Sequence, residues 1–185
     1  GLSWELVGGN DFEIDVSSDY LDNEYVFASG YVGERYLISE QGYGWRNFSV
    51  EFDVYNSGAS SELDGIMFMA KDENSYNFLD LVSGSFVSVG DDLGDIDMGS
   101  LPVPSIGETI SYLINISYSN TGGVEGTPSF SVKISYGSSM FVSSGGTTRY
   151  PFGKIGIRRV SSDPSSLGLK YDNFRVNVFD YEEAP

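Results

Sequence analysis

The chain has 185 residues, no cysteine, no histidine and a formal net charge of −17 at pH 7. It therefore holds no disulfide, no thiolate or imidazole metal ligand and no thiol or histidine catalyst. The charge opposes nucleic acid and anionic membrane surfaces, which call for a basic footprint, and no apolar run reaches the ~18 residues that cross a bilayer, so no membrane insertion is expected.

The length suits one sandwich or barrel domain over residues 1–180, with 181–185 (YEEAP) a tail or the start of a linker to neighbouring domains of a longer chain. Charge is uneven: of 10 basic residues only Arg35, Arg46 and Lys71 precede Lys133, while the 27 acids crowd the first two thirds. This reads either as solubility in a salty or hot setting or as carboxylates that converge on a hard cation such as calcium.

In chain order, Trp4 and Leu6, then Phe12, Ile14 and Val16, mark two short strands around a Gly-Gly-Asn-Asp turn. Residues 25–32 and 35–39 read as short strands flanking Gly33, and 41–44 as a loop. Phe48, Val50, Phe52 and Val54 then alternate with Ser49, Glu51, Asp53 and Tyr55. Period two is the mark of a strand with one buried face. A polar loop over 56–64 follows. Residues 65–70 (GIMFMA) are apolar on both faces, as in a strand covered on two sides. The turn at 71–75 leads into a strand over 76–82, and Ser83-Gly84 suits a hairpin turn into 86–89.

The most acidic loop, 90–100 (GDDLGDIDMGS), precedes a Pro-containing connection. Residues 109–119 form a long strand with Ile110, Tyr112, Ile114 and Ile116 on one face. Phe130, Val132, Ile134 and Tyr136 form the next, followed by strands at 140–143 and 154–160. The last strand spans about 167–179. Its buried parity shifts from Leu167, Leu169 and Tyr171 to Phe174, Val176 and Val178, which predicts a bulge at Asp172-Asn173. No window of ten or more residues holds a helical period. The expectation is an all-β, antiparallel two-sheet β-sandwich.

Several motifs, taken in order, carry a family texture: Trp45-Arg46-Asn47-Phe48, Gly65-Ile66-Met67-Phe68, Asp72 to Tyr76, Gly153-Lys154-Ile155-Gly156 and Tyr171-Asp172-Asn173-Phe174-Arg175-Val176. Together they resemble the laminin-G-like and concanavalin A-like jelly-roll domains. The resemblance spans about residues 4–179 and implies a jelly roll. That fold hosts lectins, carbohydrate-binding modules, glycosidases and adhesion domains, so function must come from the site.

Three chemistries are open. Retaining glycosidases of this fold carry E-x-D-x-(x)-E on one strand, since alternation puts the acids on one face and catalysis wants two carboxyls about 5 Å apart. Glu13-Ile14-Asp15 and Glu51-Phe52-Asp53 come near, but each lacks the third acid, and both also read as the solvent face of an amphipathic strand. Calcium would suit Asp91, Asp92, Asp95 and Asp97, which equally read as a solvated loop. The resemblance implies a structural calcium near Asp172, which alternatively makes an Asx-type bond at the bulge. Sugar binding uses flat aromatic faces with polar neighbours, and its candidates are Tyr43, Trp45, Tyr76 and Arg158.

The leading expectation is a non-catalytic module, extracellular or at the cell surface, that binds a glycan or cell-surface polymer. The alternatives are a hydrolase or lyase with an unfamiliar acid pair, Glu51 or Asp53 with Asp80, and a structural assembly domain.

Overall fold

A computed structural model describes residues 4–7, 12–15, 24–27, 32–40, 42, 45–58, 63–89, 101–119, 129–136, 139–147, 153–163, 165 and 168–181. Among these there is no helix. Thirteen strands are present: β1 Trp4–Val7, β2 Phe12–Asp15, β3 Glu24–Phe27, β4 Gly33–Ser39, β5 Trp45–Tyr55, β6 Leu63–Asp72, β7 Ser75–Asp80, β8 Ser85–Val89, β9 Thr109–Ser119, β10 Ser129–Tyr136, β11 Ser139–Thr147, β12 Lys154–Ser161 and β13 Lys170–Tyr181. They form a six-stranded sheet, β1-β4-β12-β6-β7-β8, and a seven-stranded sheet, β11-β10-β9-β5-β13-β3-β2. The antiparallel two-sheet sandwich expected from the alternation, and the jelly roll implied by the resemblance, are the fold observed.

The core follows from that alternation. Phe48, Val50, Phe52 and Val54 of β5 and Ile110, Tyr112, Ile114 and Ile116 of β9 point inward. They meet Leu37, Ile66, Phe68, Leu79, Ile155 and Ile157 from the facing sheet. Burying such side chains at ~25 cal/mol per Å² is the main force joining the layers. Strand β6 is covered on both faces, as its apolar run implied. Ile66 and Phe68 enter the main core, whereas Met67 and Ala70 join Tyr36, Ile38, Tyr76 and Phe78 in a second buried cluster. Gly65 permits the close approach of β7: a Cβ there would collide with the Leu79 carbonyl.

The predicted bulge is present. Pairing of β13 with β5 shifts register between Asp172 and Arg175, and Asn173 has φ 55°. Asparagine tolerates this left-handed backbone better than most residues. The bulge lets Tyr171 and Phe174 both contribute to the core while Asn173 and Arg175 both face outward.

Several boundaries differ from expectation, and three of them follow directly from the strand pairing. Strand β6 begins at Leu63, inside the expected polar loop, because Asp64 pairs across to Arg159 of β12. Strand β11 extends to Thr147, through Gly145, since β10 supplies pairing partners up to that point. Tyr181 pairs with Trp45, so the last strand includes the first residue assigned to the tail.

Candidate functional site

The seven-stranded sheet keeps one face away from the core, and the outward positions of β10, β9, β5 and β13 fall into rows across it. Ser135, Leu113, Glu51 and Arg175 lie opposite one another in succession. Ser111 lies opposite Asp53 in the adjoining row, and the bulge brings Asn173 to the same place. Four strands at about 4.8 Å spacing make a row about 14 Å long. Together these residues line a groove of roughly 440 Å³.

Beneath the groove the sheet is stiff. Phe52 is stacked between Tyr112, at 5.5 Å between ring centroids, and Phe174, at 5.3 Å. The Tyr112 hydroxyl donates to the Pro102 carbonyl at 2.7 Å. Packed rings and an anchored hydroxyl leave the groove residues on a preorganised surface.

Within the groove the two carboxylates differ. The Asp53 carboxylate accepts from Ser111 Oγ at Oδ1, 2.5 Å, and from Asn173 Nδ2 at Oδ2, 2.8 Å. Glu51 is exposed, and its cross-strand neighbour Arg175 is exposed beside it. Among the described residues the Glu51 and Arg175 side chains make no hydrogen bond or ion pair with each other or with any third group. The groove therefore offers a fixed polar wall, an apolar patch at Leu113, one open acceptor group and one open donor group.

Of the residues singled out from sequence, Glu51 and Asp53 lie in the groove, and the described sugar-binding candidates do not. Tyr76 and Arg158 are brought together, but on the other sheet and under cover. Tyr76 is 1% exposed and Arg158 9%. The guanidinium carbon lies 5.2 Å from the Phe78 ring, 5.6 Å from Tyr76 and 5.9 Å from Tyr36. Arg158 Nη2 pairs with Glu34 Oε1 at 3.1 Å, and the Tyr36 hydroxyl donates to the same carboxylate. That hydroxyl is the largest influence holding the Glu34 carboxyl below its usual range. A sugar platform needs an open ring face, so the expected role of Tyr76 and Arg158 gives way to packing: their parity points them into the second cluster. Trp45 is half-buried, 5.8 Å from Phe48 and lying over Gly42. Tyr43 lies outside the described residues, as do Asp91, Asp92, Asp95 and Asp97.

The pairing of Glu51 or Asp53 with Asp80 does not form. Asp80 is fully buried at the end of β7 in the opposite sheet. Its Oδ1 accepts from the Val82 amide at 2.9 Å and its Oδ2 from the Ser83 hydroxyl, capping the turn into β8. Asp172 is 6% exposed and its Oδ1 accepts from the Asn173 amide at 2.6 Å, the local bond weighed as the alternative to calcium. Among the described residues no group of three acids converges.

A second polar cluster lies inside the sandwich. Asp64 is fully buried and accepts from the Tyr171 hydroxyl at 2.5 Å and the Leu169 amide at 2.8 Å. Burial pushes its carboxyl up to about 7, against the pull of these two donors and of Arg159, while nearby Asp80 adds to the rise. Burial likewise raises the Tyr171 hydroxyl well above its usual range.

Of the groove residues, sequence reasoning picked out Glu51 and Asp53 and missed Ser111, Leu113, Ser135, Asn173 and Arg175. The signal was available in part: each sits at an outward position of a strand recognised from its alternation. What was lacking was the cross-strand register that lines them up.

No protein-family model matches the chain, and a comparison with curated proteins gives no match either. Solved structures do match. The carbohydrate-binding module CBM66 from Bacillus subtilis superposes with a TM-score of 0.58 at 13% identity, covering 94% of each chain. A marine PL-14 alginate lyase from Aplysia kurodai gives 0.56 at 8% identity, over 94% of this chain and 89% of that one. The exoplasmic/lumenal domain of VIP36, in a form bound to Ca2+ and Man3GlcNAc, gives 0.51 at 10% identity, over 98% and 86%. The chain thus has the concanavalin A-like jelly-roll fold, shared by a carbohydrate-binding module, a lectin and an alginate lyase.

Proposed function

We propose that this chain is a carbohydrate-binding module whose site is the groove on the outer face of the seven-stranded sheet. The observation that carries the reading is the row of Ser135, Leu113, Glu51 and Arg175 with Asp53 held beside it by Ser111 and Asn173. A sugar ring offers hydroxyls that both donate and accept and C–H faces that are apolar, and the groove supplies partners for each. Matches to a carbohydrate-binding module and to a glycan-bound lumenal domain support it. We place the module outside the cell or in the secretory lumen, within a longer chain, and any calcium in the loop of Asp91, Asp92, Asp95 and Asp97.

Affinity electrophoresis through a panel of polysaccharide gels tests the reading. The chain is expected to be retarded by at least one of them. Ser135→Trp, which fills one end of the groove, should abolish retardation without lowering the melting temperature. Retardation equal to wild type in that variant would remove the groove as the site.

A second reading is polysaccharide cleavage, favoured by Glu51 and Asp53 standing side by side on β5 in one groove. It requires reducing or unsaturated ends to appear when the bound polysaccharide is incubated with the chain. Polysaccharide recovered intact leaves binding alone.

A further inference from the structure

We propose that the groove takes a neutral glycan, gripped at a pair of adjacent hydroxyls by Glu51 and Arg175 together, rather than a charged polysaccharide. This rests on the carbohydrate reading above and names its ligand class.

The argument starts from the two open groups. A carboxylate only accepts hydrogen bonds and a guanidinium only donates them. Glu51 and Arg175 are direct cross-strand neighbours, a placement in which opposite charges commonly pair. Here neither is engaged among the described residues, and both are exposed. Their hydrogen-bonding capacity is therefore turned toward the groove. A sugar hydroxyl serves both, donating to Glu51 and accepting from Arg175. Two hydroxyls on neighbouring carbons can do this at once across one strand spacing of about 4.8 Å. The bonds formed are charge-assisted, the stronger kind.

Charged sugars each leave one of these two groups unmatched. A uronate would gain Arg175 but meet Glu51 and Asp53, within a chain that carries −17 overall. An ammonium sugar would gain Glu51 and the charge of Asp53, but its cation would meet Arg175 and leave that guanidinium without an acceptor. A neutral ring satisfies both open groups with no like-charge contact. Binding so made depends on local hydrogen bonds, not on the long-range field that salt screens.

The test is isothermal titration of the chain with arabinan, mannan and β-glucan as neutral probes, alginate as the uronate and chitosan as the amino sugar, at low and at high salt. A neutral polymer should bind tightest, with affinity changing less than about twofold between the two salt conditions. Glu51→Ala and Arg175→Ala should each weaken it by about tenfold or more. Both positions are exposed, and unchanged melting temperatures would show that the fold is intact. Tightest binding to alginate or chitosan, lost steeply with salt, would overturn the inference while leaving a carbohydrate-binding module in place. Wild-type affinity in both variants would overturn it equally. Failure of every polysaccharide to bind would remove the carbohydrate reading itself.

Discussion

Asp64 shows how much one side chain can depend on distant partners. It sits fully buried between the sheets, with Tyr171 and Leu169 as hydrogen-bond donors. Its carboxyl is pushed up to about 7 by burial, from an ordinary value of 3.8. The folded chain therefore holds this proton more tightly than the unfolded chain does. The linked stability is fully present below about pH 4, declines as pH rises toward 7, and is flat beyond. Asp64→Asn has no proton to lose, so wild type should lose stability relative to the variant across that window. Urea midpoints measured at several pH values for both proteins check this, and parallel curves would contradict it. The role was hidden from the sequence, where Asp64 closes a polar loop. Its hydroxyl partner lies 107 residues away, and no local pattern reports a contact at that range. Glu51 and Asp53 were legible as outward acids because their neighbours Phe52 and Val54 are plainly inward.

At the scale of the element, the bulge in β13 makes the groove. Without the extra residue, Asn173 and Arg175 could not both point outward while Tyr171 and Phe174 both point in. Asn173 serves twice, through a backbone at φ 55° and through its bond to Asp53. Two substitutions separate these roles. Asn173→Gly keeps the backbone free and loses only the side-chain bond. Asn173→Ala loses the bond and adds left-handed strain of about 1 kcal/mol. Chemical denaturation should rank wild type above the glycine variant and the glycine variant above alanine. Alanine equal to or above glycine would mean that the backbone there is unstrained. The parity switch that reveals the bulge is plain in the sequence, since Tyr171 and Phe174 are both large and apolar. Which neighbour the bulged residue would bond to is not written there, because Asp53 reaches it only through the pairing of β5 with β13.

For the whole molecule, charge sets the behaviour in solution. A net charge of −17 on a compact sandwich repels itself more than the same charge on an expanded chain. Raising ionic strength from about 0.01 to 0.15 M shortens the screening length from about 30 to 8 Å. The melting temperature should therefore rise over that range, and a flat or falling curve would show the acids to be locally compensated. Composition and alternation alone determined the all-β class, the inward residues of β5 and β9, the doubly covered β6 and the bulge. Each of these is a local consequence of side chains that point to opposite faces at every step. Only the tertiary structure decided which strands are neighbours. That choice placed Tyr76 and Arg158 in a packed cluster, Asp80 in a turn of the opposite sheet, and Ser135, Leu113, Glu51 and Arg175 in one row. Strand order is settled by the closing of two layers over a shared core, a balance of contacts between residues up to half the chain apart or more, and no short window of sequence contains it.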